Sequence, residues 1–432
     1  MPPNVLLVIT DQQSRFAQSA AGNEWVRTPH LDSLSASGVR FTRAYCAAPV
    51  CSPSRASLAT GRPPHQTGLM ANGMPWPGDM PELCGHFLSH GYDVGWVGIR
   101  PGIPSPAAAG PRFELLLPEG VGTRLGRESD TAIADAAIRY LRRPGRQRPF
   151  FLGVTLINPH DICYWVMGQA PDAAGDDPLP PLPPGFEPAP DEPDFIRRCR
   201  RRTHYGPENT FTRDWDRHDW RRYLREYYAL TERADAEVGR ILDALREAGL
   251  EEETLVAFTS DHGEGMARHR WVVKLMMWES VVSVPLTLSW PGVIPRGQVR
   301  GQLASGLDML PTLCDYAGLP VPPGVVGRSL RGAVDGDGPR REYVVTELHP
   351  DDQDLAFAAR IVVSQHHKYA AFSEGRPREV LFDLEVDPGE TRNLASDPSH
   401  APALAAHRRY LRKWVERTMD LDFRLPQEAG TA

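Results

Sequence analysis

From Val5 to Thr10 the chain reads Val-Leu-Leu-Val-Ile-Thr, apolar without alternation and halted at Asp11. A strand with one wet face would alternate, so this run predicts a central strand covered on both sides, as in a parallel sheet. Phe150 to Ile157 and Leu255 to Ser260 repeat the pattern, and they stop at Asn158-Pro159-His160 and Asp261-His262-Gly263. Tyr92 to Val97 and Pro285 to Trp290 add further strands. Helical spacing lies between them. Pro29 to Ser37 sets Leu31 and Leu34 on one side, Leu83 to His90 closes at Gly91, and Asp130 to Leu141 and Asp308 to Ala317 are amphipathic. Arg221 to Ala248 aligns Leu230, Ala234, Val238, Ile241, Leu242 and Leu245. Strands alternating with helices predict an α/β fold: a mixed, mostly parallel sheet flanked on both faces.

The pattern changes near residue 335. Glu342 to Glu347, Ile361 to Val363, His367 to Phe372 and Val380 to Asp383 read as short strands, and Ala401 to Thr418 as a helix packed across them. The chain is therefore divided into a main domain, 1–334, and a smaller C-terminal subdomain, 335–432, of antiparallel sheet plus helix. Residues 168–193 are crowded with proline, glycine and acids and have no periodicity. They predict an ordered excursion or lid, with a disordered linker as the alternative.

With 48 Lys and Arg against 55 Asp and Glu, the 432-residue chain carries a formal charge of -7. That balance argues against non-specific nucleic-acid binding, and it means that an anionic ester would need a locally positive site. No apolar run reaches membrane-spanning length, so no membrane partner is expected. The N-terminal apolar stretch ends too early for a secretory leader. Cys46, Cys51, Cys84, Cys163, Cys199 and Cys314 are scattered, with no CxxC pair. A reducing, cytoplasmic setting is expected on these grounds, with a leader removed from the natural product as the loophole.

Asp11, Cys51 and Asp261 fall after predicted strands or at a helix start, and carboxyl ends of strands form the ligand edge of open α/β sheets. Asp11 and Asp261 suggest a divalent cation site, with a nitrogen from His262 and a carbonyl oxygen from Gln12. Oxygen-rich ligation favours Ca²⁺ or Mg²⁺, while His262 leaves Mn²⁺ and Zn²⁺ open. The bland alternative is that the acids cap helices or satisfy turns. Cys51-Ser52-Pro53-Ser54-Arg55 sets a sulfur beside a fixed cation at a helix start, where Pro53 suits the first turn and both neighbours favour the thiolate. The rival reading makes Cys51 a small buried hydrophobe and has Arg55 hold a carboxylate. Ser52 and Ser54 are expected as helix caps.

These residues resemble the formylglycine-dependent type I sulfatases of the alkaline-phosphatase-like superfamily. Cys51-Ser52-Pro53-Ser54-Arg55 with Thr60-Gly61-Arg62 is similar to the family's Cys-x-Pro-Ser-Arg signature. Thr28-Pro29-His30-Leu31-Asp32, Phe41-Thr42-Arg43-Ala44-Tyr45, Thr259 to Glu264, Asp308 to Leu313 and Leu381 to Leu384 with Asp387-Pro388 resemble further family blocks. The resemblance spans nearly the whole chain. It implies that a formylglycine-generating enzyme converts Cys51 to formylglycine, whose hydrated aldehyde attacks sulfur. It also implies one divalent cation, with Ca²⁺ expected, held by Asp11, Asp261, His262 and an oxygen of modified Cys51. Arg55 would neutralise charge, His160 would meet the leaving group, and Lys274 would bind sulfate, with His269 orienting Lys274 or walling the pocket. Trp165, Arg268 and the excursion at 168–193 are further pocket-wall candidates.

Two departures qualify the match. Gln12 stands where many relatives carry a second aspartate, and Asp-Gln resembles the choline-sulfatase and phosphonate-monoester-hydrolase branch. Gly98-Ile99-Arg100-Pro101 stands where many sulfatases read Gly-Lys-Trp-His. The expected activity is hydrolysis of a small organic sulfate monoester. The alternatives are phosphonate monoester or phosphodiester hydrolysis, and a catalytically weakened anion-binding protein.

Overall fold

In the computed structural model, residues 2–76, 80–99, 113–116, 125–202, 211–336 and 338–426 are described. Thirteen strands occur among them. β1 (Asn4–Asp11), β2 (Val39–Tyr45), β3 (Asp93–Gly98), β4 (Phe113–Leu115), β5 (Phe150–Pro159), β6 (Thr254–Ser260), β7 (Ser283–Ser289), β8 (Gln298–Arg300) and β9 (Ala304–Ser305) form the large sheet. Its order is β4-β3-β5-β1-β6-β7-β2-β8, with β9 also paired to β2. β4, β3, β5, β1 and β6 run parallel, and β7 is antiparallel to both β6 and β2. The expected mixed, mostly parallel sheet is observed.

All eight residues of β1 are buried, and their period of two divides them between two cores. Val5, Leu7 and Ile9 join Leu58, Phe87, Leu310 and Leu313 on one face. Leu6 and Val8 join Ile133, Ala137, Val238 and Ile241 on the other, under the helices Gly126–Leu141 and Arg217–Glu247. The second helix starts four residues before the expected Arg221, because Asp216 and Asp219 close a capping box there.

β10 (Val344–Leu348), β11 (Ala359–Val363), β12 (His367–Phe372) and β13 (Glu379–Asp383) form an antiparallel sheet in sequence order. Val345, Val362, Tyr369 and Leu381 meet Leu404, Leu411 and Trp414 of the helix Ala401–Thr418. The other face, with Ile361, Ala370 and Phe382, enters the first core of the large sheet. Residues 168–193 hold no helix or strand, but they are pinned. Glu226 accepts from the amides of Ala173 and Ala174, and Arg221 donates to the carbonyls of Leu179 and Pro180. No helix among the described residues is long and apolar enough to cross a membrane.

Candidate active site at the carboxyl edge of the sheet

Register brings the two aspartates together. β1 and β6 pair with Thr10 opposite Ser260, so Asp11 and Asp261 leave the same edge side by side. The β1–β5 register shifts between Thr10 and Asp11, and Gln12 follows at φ 72°, a conformation few side-chain-bearing residues adopt. The helix Cys51–Thr60 starts at this edge, with Cys51 as its first residue and Gly61 as a left-handed C-cap whose N–H returns to the Ser57 carbonyl. Ser52 and Ser54 do not cap it. The N-cap is Val50, without a side-chain bond, while Ser54 Oγ donates to the Asp261 carbonyl and the Ser52 amide donates to Asn72 Oδ1.

The Cys51 sulfur lies 3.6 Å from Asp11 Oδ1, 3.3 Å from His262 Nε2 and 3.0 Å from Lys274 Nζ. His160 also favours charge on this sulfur. Arg55, 2% exposed, donates through Nε to Asp261 at 2.8 Å and through a terminal nitrogen to Asp11 at 2.5 Å. Its hydrogen bonds therefore go to the two carboxylates, as the bland alternative held. His262 Nδ1 contacts the Gly263 carbonyl at 2.9 Å, which places the proton on Nδ1 and turns Nε2 toward the sulfur.

Buried ionisable groups crowd the site and shift one another. Burial, then Asp261 and Cys51, push Asp11 up to about 6 despite the guanidinium of Arg55. Burial opposes charge on His262, yet Asp261 and Cys51 raise it to about 9. Burial opposes a Cys51 thiolate, but Lys274 and His262 outweigh it and hold the thiol well below its usual range. One donor atom each from Asp11, Cys51, Asp261 and His262 lie within 4.8 Å of one another. Two carboxylate oxygens, one imidazole nitrogen and the position of the Cys51 side chain suit a divalent ion. The donor set fits. Gln12 Nε2 donates to Glu264 at 2.6 Å, and its Oε1 accepts from the Cys163 thiol at 3.3 Å, so one lone pair of that oxygen is already used.

Lys274 is 3% exposed, so its ammonium is buried at the site rather than solvated. It rides on a loop in which Met266, Ala267, His269, Arg270, Val273 and Leu275 all have positive φ. Such conformations cost about 1 kcal/mol or more each and persist only where the surroundings impose them. Glu264 supplies much of that constraint. It accepts from Gln12 Nε2, the Gly265 amide at 2.8 Å, the Tyr223 hydroxyl and the Val273 amide. Tyr227 adds a bond to the Gln12 carbonyl at 2.9 Å. The sequence reading missed Glu264 as an anchor and missed Tyr223 and Tyr227. The two tyrosines lie one turn apart in a strongly helical run, and that spacing was the available signal.

Other expected residues have partners of their own. His269 stacks on Trp278 with ring centres 3.7 Å apart, and its Nε2 meets the Gly389 carbonyl, so its contacts hold the loop to the C-terminal segment. Arg268 donates to the Pro388 carbonyl and lies over Phe16. Trp165 bonds Asp172 and contacts Trp215. Gly98 has φ 92°, and a Cβ there would collide with the Thr155 carbonyl, while Ile99 packs on the second core. Arg100 and Pro101 lie outside the described residues.

Comparison with known proteins gives this edge a family. Residues 3–319 match the Sulfatase family, and residues 267–417 match the family described as N-sulphoglucosamine sulphohydrolase, C-terminal. A Delta 4,5-hexuronate-2-O-sulfatase of Bacteroides thetaiotaomicron is 30% identical, covering 98% of this chain and 90% of the relative. The solved structure of a 2-O GAG sulfatase superposes with a TM-score of 0.86 at 28% identity, covering 99% of this chain and 95% of that one. A phosphonate monoester hydrolase of Agrobacterium radiobacter shares the fold, with a TM-score of 0.79 at 24% identity over 96% of each chain. The chain belongs to the sulfatase family and is a sulfuric ester hydrolase.

Proposed function

We propose that this chain hydrolyses a sulfate monoester on a sugar, with Cys51 converted to formylglycine. The carrying observation is the convergence of Asp11, His262 and Lys274 on the single sulfur of Cys51. The similarity to a hexuronate-2-O-sulfatase over nearly the full chain supports a sulfated sugar as the alcohol. Asp11, Asp261 and His262 would hold the divalent cation, with Ca²⁺ the expected ion. Bound there, formylglycine supplies an oxygen nucleophile and the ion neutralises charge on the sulfate.

The chain's own residues have separate tasks in this reading. Arg55 fixes the spacing of the two carboxylates. Lys274 brings a desolvated ammonium to the anion. Burial opposes charge on His160, but Cys163 and Asp11 raise it well above its usual range, so it is poised to give a proton to the departing oxygen. Maturation would require a formylglycine-generating enzyme.

Intact-protein mass spectrometry tests the modification at residue 51. Paired assays of modified, metal-loaded protein on an unsaturated 2-O-sulfated uronate and on a phosphonate monoester test the substrate. Faster turnover of the sulfate is expected. Faster turnover of the phosphonate would move the chain to the alternative that Gln12 favours, and no turnover of either would leave anion binding alone, the alternative that the Ile99 and Pro101 departures favour.

A further inference from the structure

Four of the chain's 14 histidines, His366, His367, His400 and His407, gather on the C-terminal subdomain, away from the residues described above. The juxtaposition is set by backbone. His367 opens β12 and Asp383 ends β13, and the antiparallel ladder pairs these two residues directly, so both side chains project from one face. His367 Nε2 lies 3.8 Å from Asp383 Oδ2. His400 comes from a different element, the residue before the helix Ala401–Thr418, and its ring centre is 6.3 Å from that of His367.

We propose that His367, Asp383 and His400 form a second metal site, selective for a borderline transition cation such as Zn²⁺, that clips the last helix to the edge of the small sheet. One donor atom from each of the three lies within 4.8 Å of the others. A tetrahedral zinc with bonds of about 2.0–2.1 Å needs donors about 3.3 Å apart, so half-exposed side chains close the gap by small rotations. Two imidazoles and one carboxylate suit Zn²⁺ and exclude a preference for Ca²⁺ or Mg²⁺, which take oxygen. Water would complete the fourth position.

The surroundings are those of a ligand shell rather than of scattered charges. His400 Nδ1 lies 3.0 Å from Ser399 Oγ and 3.6 Å from Asp397 Oδ2, an arrangement that suits coordination through Nε2. An imidazole whose second nitrogen is fixed by a neighbouring oxygen is the usual arrangement of a zinc-bound histidine. Asp383 keeps its other oxygen, Oδ1, on the amides of Glu385 and Val386, so Oδ2 is oriented toward the histidines. His366 is taken up by Glu385 at 2.8 Å, and His407 by Ser364 and the Ala403 carbonyl. The cation therefore has three assigned donors, and the neighbouring imidazoles are occupied.

Equilibrium dialysis of the whole, chelator-stripped protein against Zn²⁺ tests this, with metal content read by mass spectrometry. Wild type should hold one equivalent more than His367→Gln or His400→Gln, and comparing variants cancels any zinc at the Cys51 edge. With Co²⁺ as the probe, the difference spectrum between wild type and variant should show tetrahedral d–d bands. Zinc should also raise the thermal midpoint of wild type more than that of either variant. Equal zinc content in wild type and in both folded variants, checked by circular dichroism, would overturn the site. Both variants change half-exposed positions, and His367→Gln alone suffices if His400→Gln disturbs the helix start. The outcome is independent of sulfatase turnover.

Discussion

At Lys274 a lysine with 3% exposure holds its ammonium 3.0 Å from the Cys51 sulfur. A buried cation is costly unless it faces negative charge, so this placement supplies an anion site rather than surface solubility. Lys274→Ala should lower kcat/KM by about 100-fold or more on the sulfate ester, the usual range for a positioned acid or charge stabiliser. An unchanged rate and pH profile would remove it from the site. Cys51→Ala should fold normally and lose turnover entirely, and persistence of the original activity would show that the nucleophile lies elsewhere. Glu264 acts at one remove. Its two oxygens take four donors, from Gln12, Tyr223, Gly265 and Val273, and a glutamine offers only one acceptor. Glu264→Gln should cost about 2 kcal/mol in urea unfolding through unsatisfied buried donors. It should also depress kcat more than it raises KM, because the loop it anchors carries Lys274.

One link between the two sheets is a buried charge network. Lys368 on β12 donates to the Met277 carbonyl at 2.9 Å and pairs with Glu279 and Glu390, and the Glu279 amide donates to Glu390 at 2.6 Å. Tyr45 and Arg15 also bond Glu279. Removing one member leaves charge buried without its partner, so Lys368→Met should cost about 3–5 kcal/mol in denaturant unfolding. A loss below 1 kcal/mol would mean the network is replaceable by packing. No sequence pattern predicted this link, because its members lie 89 and 22 residues apart along the chain and each looks like an ordinary surface charge. Elements whose burial is periodic were legible: the strand at Val5, the helix Pro29–Ser37 and the helix Ala401–Thr418 match their expected spans closely. The helix Asp194–Arg202 was not, since its Asp-Phe-Ile-Arg-Arg-Cys-Arg-Arg-Arg run shows only a narrow apolar stripe. At the site, strand ends exposed Asp11 and Asp261, whereas the aim of Arg55 and the anchoring by Glu264 depend on side-chain directions that spacing does not encode.

Over the whole molecule, buried titratable groups set opposing slopes of stability with pH. Burial pushes Glu82 and Asp130 up to about 7, so the folded state holds their protons and their contribution is lost as pH rises toward that value. His269 and His349 act with the other sign. Burial, then Arg200, lowers His269 to about 3, and burial, then Arg360, lowers His349 to about 4. Their unfolded values are 6.5, so above that pH neither state binds the proton. As pH falls below it, the unfolded chain takes up protons that the folded chain refuses, and stability is lost down to the folded values. Because the two sets oppose each other, the wild-type curve alone does not isolate the histidines. The difference between wild type and His349→Gln does. Glutamine removes the titration while keeping a polar side chain, so the stability advantage of wild type over the variant should shrink as pH falls from 7 to 5. The slope should approach about 1 kcal/mol per pH unit, since one pKa unit corresponds to about 1.4 kcal/mol. Urea unfolding of the two proteins at matched pH values measures it, and parallel curves across that window would show that His349 is charged in the folded state.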